Sequence, residues 1–137
     1  MSKYEEFREK WKHEDGLINQ RLTWLLITQT LLFAGYANIF VKIMEAESIT
    51  IITHFLLLVM AIFGILFSNI IRISVNAAIM AMYDLKKQYK EEGNIDTSER
   101  ATDKGFKASK NMPKLFIILW ILLLLFQLQE LLLQIIC

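Results

Sequence analysis

PKLFIILWILLLLFQLQELLLQIIC, residues 113–137, decides the fold of this chain. After Lys114 its only charge is Glu130. At about 1.5 Å per residue the stretch is long enough for a hydrocarbon core of roughly 30 Å. Two earlier stretches have the same character: LTWLLITQTLLFAGYANIFVKIM (Leu22–Met44) and ITIITHFLLLVMAIFGILFSNIIRIS (Ile49–Ser74). A hydrophobic fraction of 55% and a mean hydropathy of +0.39 are high for a water-soluble domain. The expected fold is an all-α membrane protein, one domain with three transmembrane helices over 22–44, 49–74 and 113–137.

Charge fixes the expected orientation. Of the 15 Lys and Arg, five lie before Leu22 and nine between Arg72 and Lys114; only Lys42 stands near the first link. That link, Glu45–Ser48, carries two acids and no base. The positive-inside rule puts the N-terminus and the long second connection in the cytoplasm, and Cys137 outside. The first 21 residues mix five bases with five acids, and the span after them is long and lacks a small-residue cleavage site. They therefore read as a cytoplasmic helix and not as a secretory leader. A net charge of +1 gives no reason to expect nucleic-acid binding. A single cysteine excludes an internal disulfide.

The flanks look helical. Ser2-Lys3-Tyr4-Glu5 fits a capping box, and Tyr4, Phe7, Trp11 and Ile18 form one apolar stripe suited to protein or to lipid headgroups. Gly16 offers a place to bend; without a bend, one helix runs from Lys3 to Met44, around 60 Å. The second span should continue to about residue 92, stopped by Gly93-Asn94. Across the connection 93–112, Asp96-Thr97-Ser98-Glu99 should open a short polar helix ending near Lys110. Pro113 then suits the first turn of a new helix. These cytoplasmic pieces are too short for a core of their own.

Polar side chains at membrane depth are costly and mark either packing or function. Counted from the ends of their spans, Asn38, His54 and Glu130 share a level in the outer leaflet, and Gln127 and Gln134 flank Glu130 at i−3 and i+4. The expectation is a cluster of Glu130, His54, Gln127 and Asn38. It would serve either as interhelical hydrogen bonding or as a site that binds or conducts a small polar species. Arg21, Thr28, Gly35 and Lys42 recur every seven residues with Asn38 beside them, and Ala61, Gly64, Ser68 and Arg72 mark the second span. Gly35, Ala61, Gly64 and Ser68 are expected to pack helices; alternatively Thr28, Gln29 and Ser68 would line a lumen. At the cytoplasmic boundary Arg21 and Arg72 either snorkel to lipid phosphates or pair with Glu14 in a collar coupling the cytoplasmic helices to the membrane.

No Cys/His cluster has metal-ligand spacing, no glycine-rich loop opens a phosphate site and no nucleophile elbow is present. No enzyme, cofactor or metal is expected. Arg8 and His13 match the loose R-x4-H spacing of HEPN-type ribonucleases, but the supporting helical bundle is missing. The stretch HEDGLINQRLTWLLITQTLLFAGYA (His13–Ala37) places an acid before an Asn-Gln-Arg, then a Trp and an embedded Gln. In this it resembles the opening of small, uncharacterised bacterial multi-pass membrane proteins. The resemblance implies no known activity; some proteins of this layout are membrane effectors of bacterial defence systems.

The contact faces outnumber what one copy can satisfy, so a homo-oligomer in a bacterial inner membrane is expected. The functional expectation is a pore, channel-like protein or membrane-perturbing effector. The alternative is a non-conducting adaptor or regulatory subunit that binds a cytoplasmic protein, and a holin comes third.

Overall fold

A computed structural model describes residues 2–46, 51–91 and 99–137. Within them the chain forms three helices, α1 (Lys3–Glu45), α2 (Ile51–Glu91) and α3 (Glu99–Ile136). Each is long and apolar enough to cross a membrane. At 43, 41 and 38 residues they measure roughly 55–65 Å, about twice the bilayer core. The surplus length is where the charges lie: the start of α1, the end of α2 and the start of α3.

The capping box forms as its residues dictate. Ser2 Oγ accepts from the Glu5 N–H at 3.3 Å and Glu5 Oε2 accepts from the Ser2 N–H at 3.2 Å. From there α1 runs unbroken through Gly16, whose surroundings are open. The expected break before Pro113 does not occur: α3 runs straight through it. Proline removes one donor and leaves the Ser109 carbonyl without its helical N–H. The ring is fully buried against its neighbours, and packed helices tolerate such an interruption. The Gly93-Asn94 stop and the Asp96-Thr97-Ser98 cap lie outside the described residues.

The helices run up, down and up, with α2 central and packed along both neighbours, while the α1 and α3 backbones approach little. Phe7 stacks on Tyr89 at 4.3 Å, and Phe106 lies between Trp11 at 6.1 Å and Tyr83 at 5.2 Å, which joins all three helices at the charged end. The stripe containing Phe7 and Trp11 is thus used for packing within the chain.

A seven-residue repeat fixes the seam. On α2 the repeat is carried by buried His54, Ala61, Ser68, Val75 and Met82, with buried Leu57, Gly64, Ile71 and Ala78 three positions on, and Ile79 and Lys86 are buried beside it toward the charged end. On α3 they are Phe106, Pro113, Trp120 and Gln127. This is the spacing of a left-handed coiled coil. On α1 the seam passes through Ile18 and Leu25, then Gln29, Tyr36 and Ile43. It is therefore one residue beyond the expected stripe of Arg21, Thr28, Gly35 and Lys42. One residue is about 100° of helix, so Arg21, Thr28 and Gly35 become half-buried flanks and Lys42 is exposed.

Two clusters fill the seam. One, around Leu25, Val75, Ile79, Met82 and Phe106, continues toward the charged end; the other, around Tyr36, Leu57, Ala61 and Trp120, occupies the apolar half. In water the first is held by burial of apolar area. In lipid that drive is absent, and close packing and hydrogen bonds must hold the second. The apolar half is accordingly where the polar layers lie. Outward, α2 and α3 expose a dense field of Ile, Leu, Val and Phe, far beyond what a soluble surface carries.

Candidate functional site

Two polar layers cross the apolar half of the seam, seven residues apart on α1 and on α3. In the first, Trp120 on α3 donates its indole N–H to Gln29 Oε1 on α1, and Gln29 Nε2 donates to Ser68 Oγ on α2 at 3.0 Å. Trp120 and Ser68 are fully buried and Gln29 nearly so. Gly64 makes the arrangement possible. A Cβ there would lie 2.4 Å from the indole, so only a glycine lets the ring lie across the α2 backbone and reach α1. Phe33 closes the other side, stacked on Trp120 at 4.4 Å with the planes 6° apart.

In the second layer, Gln127 on α3 donates from Nε2 to Tyr36 Oη on α1 at 2.9 Å. Its Oε1 meets His54 Nδ1 on α2 at 3.0 Å, and His54 Nε2 meets Gln134 Nε2 at 3.0 Å. An amide oxygen only accepts and an amide nitrogen only donates, so in these orientations Nδ1 donates to Gln127 and Nε2 accepts from Gln134. Tyr36, Gln127, His54 and Gln134 form one continuous hydrogen-bonded chain over three helices.

The structure brings His54 and Gln127 together and leaves the other two members of the expected cluster outside. Gln127 and Gln134 are seven apart and so share a face, and between them they take both ring nitrogens. Glu130 is three residues past Gln127, about 60° round the helix; it is half-buried and has no hydrogen bond or ion pair among the described residues. Asn38 is two residues beyond buried Tyr36, which turns it about 200°, to the outside.

The collar is likewise not made among the described residues. Arg21 Nη1 donates to the Ser74 carbonyl at 2.6 Å, while Arg72, about 200° from Ser74 on the same helix, has its Nε buried without a partner, as is Asn76 Oδ1. The two arginines thus take different sides of α2, and half-buried Glu14 pairs with neither. Of the packing residues, Ala61, Gly64 and Ser68 are buried in the seam. A Cβ on Gly35 would stand 3.1 Å from Met60 Cε, so that glycine faces α2. No group of three metal-ligating side chains is present among the described residues.

Sequence reasoning missed Tyr36 and Trp120. A signal was available: Gln29 and Tyr36, like Trp120 and Gln127, are seven apart and carry polar atoms at membrane depth. At the charged end, Glu9, Lys10, His13 and Glu14 of α1 face Ala81, Asp84, Leu85 and Gln88 of α2 across an open groove of about 490 Å³. Compared with models of protein families, with curated proteins and with solved structures, the chain matches none.

Proposed function

We propose that this is a non-catalytic protein of the bacterial inner membrane, N-terminus inside and C-terminus outside, that works as an adaptor or regulatory subunit through its charged cytoplasmic end. The observation that carries the reading is the self-sufficiency of the seam. At membrane depth its polar side chains bond to one another, both His54 nitrogens are occupied, and an indole fills the Gly64 notch. Among the described residues, the two polar layers of a single bundle then leave no free polar wall for a permeant species. Unbroken helices with one seam from the aqueous to the apolar half make a stiff link between a cytoplasmic event and the membrane. The partner surface we assign is the α1–α2 groove, where Glu9, Glu14 and Asp84 outnumber Lys10 as charged groups and suit a basic segment.

A second reading, a pore formed between copies, draws on Glu130, an acid on the flank of the seam with no partner of its own among the described residues. Purified protein in liposomes separates the two. The adaptor gives no ion flux, and its captured partner is lost when Glu9, Glu14 and Asp84 are changed to Lys. Flux abolished by Glu130→Leu overturns the adaptor in favour of the pore. Orientation is tested separately: Cys137, the sole cysteine, should react with an impermeant maleimide from outside the cell, and protection there refutes it.

A further inference from the structure

Two hydrogen bonds set the register of the parallel helices α1 and α3. Gln29 meets Trp120 and Tyr36 meets Gln127, both at a sequence offset of 91. The same offset carries Asn38 to Gln129. Each of these lies two residues beyond a seam residue, Tyr36 or Gln127, so each is turned about 200° to the outside. Both are exposed, and neither has a hydrogen-bond partner among the described residues. Two carboxamides thus face outward at one depth in the apolar half, where lipid offers them no partner.

The two faces that carry them differ in shape at one level. On the outer side of α1, Ala34 and Ala37 are exposed beside Asn38, with Leu31 and Val41 exposed on the same side, and the hydroxyls of exposed Thr23 and Thr30 are turned back to the Asn19 and Leu26 carbonyls at 2.8 Å. Around Gln129 the outer side of α3 is bulky, with Leu122, Leu125 and Leu132 more than half exposed. At the offset of 91, Leu125 is level with Ala34. At that level a large side chain meets a small one, the fit that lets membrane helices approach closely, while Leu122 is level with Leu31 and Leu132 with Val41.

We propose that the outer face of α1 in one copy packs against the outer face of α3 in the next, with Asn38 and the neighbour's Gln129 bonded amide to amide. Each carboxamide has one oxygen to accept and one NH₂ to donate, so the pair satisfies itself reciprocally. Copies sharing one membrane orientation keep the two residues at one depth. Every copy carries both halves of the contact, so it is head-to-tail and extends beyond a dimer. A two-fold pairing of Asn38 with Asn38 would leave Gln129 facing lipid. The proposal rests on membrane embedding and not on the adaptor reading.

The test is cysteine cross-linking in native membranes on a Cys137→Ser background. Chains with Asn38→Cys and chains with Gln129→Cys, differently tagged and co-expressed, should give a disulfide-linked species containing both tags. Both changes in one chain should give a ladder of dimers, trimers and higher species. Moving the second cysteine to Leu122→Cys, seven residues or about 10 Å away, should lower the yield at least tenfold. Cross-linking of Asn38→Cys with itself, an intrachain product only, or no product at all overturns the contact. Independently, Asn38→Leu with Gln129→Leu should keep helical content and drop the assembly to monomers in nanodiscs; an unchanged mass refutes it. Partner capture per chain in that variant reports on the adaptor reading separately.

Discussion

Gly64→Ala puts one methyl group where the structure has no room. The new Cβ would stand 2.4 Å from Trp120 Cε2 and 2.5 Å from Cδ2 and Nε1. Ordinary carbon contacts are about 3.5–4 Å, so the indole must retreat by about 1 Å. It has nowhere to go while it stays stacked on Phe33 and bonded to Gln29. Overpacking of this kind costs about 1–3 kcal/mol, and an interhelical hydrogen bond in a membrane contributes about 0.6–2 kcal/mol. Alanine's better helix propensity returns about 1 kcal/mol. The expected net loss is about 1–3 kcal/mol, a shift of roughly tenfold to a hundredfold in the unfolding equilibrium. Gly16→Ala and Gly105→Ala are the controls, since nothing lies within 4 Å of either new Cβ. They should gain about 0.5–1 kcal/mol. Unfolding by SDS in mixed micelles, followed by helical circular dichroism, measures all three. Combining Gly64→Ala with Trp120→Leu should cost less than the two single changes together, because the smaller side chain makes room. The notch argument is refuted if Gly64→Ala gains stability alongside Gly16→Ala.

Gln127→Leu removes the link between Tyr36 and His54, leaving a buried hydroxyl and Nδ1 unpaired; a loss of about 1–3 kcal/mol is expected in the same titration. Phe106→Ala empties the junction between Trp11 and Tyr83 at the charged end, where burial from water is the driving force, and should cost about 3 kcal/mol or more. At the start of α1, Lys10 lies 2.7 Å from Glu6 and, by its hydrogen bond and its charge, holds the Glu6 carboxyl below its usual 4.5. A depressed carboxyl stabilises the fold above its unfolded pKa, and that contribution fades as pH falls through the lowered value. In an NMR titration Lys10→Gln should move the Glu6 midpoint back up, and high salt should shrink the difference.

The three helices were legible because spanning lipid demands about twenty apolar residues in a row, a local property that composition alone displays. The capping box at Ser2 and Glu5 was legible for the same reason: it involves neighbours three residues apart. Charge segregation marked one end of the bundle before any contact was known. Pro113 was misread because the rule that proline begins helices is local, while the burial that lets it remain inside α3 is tertiary. The seam on α1 was misread by one residue because polar residues recurring every seven positions imitate a packing stripe when the true one runs beside them. Of the cluster at membrane depth, the common level of His54 and the α3 polar stripe was readable from span lengths. Which members meet was not, since a step of two or three residues turns a side chain by about 200° or 60° and depth carries no information about rotation.

Residue chemistry taken one stretch at a time thus determined that this chain is helical, where it is greasy enough for lipid and which end is charged. Only the folded bundle decided that Tyr36 and Trp120 complete the polar layers, that Glu130 and Asn38 stand outside them, and that Gly64 opens the way for an indole. The first set follows from hydrogen bonding and hydropathy along a helix. The second depends on the rotation and register of three helices against one another, which the packing of large side chains into small gaps fixes.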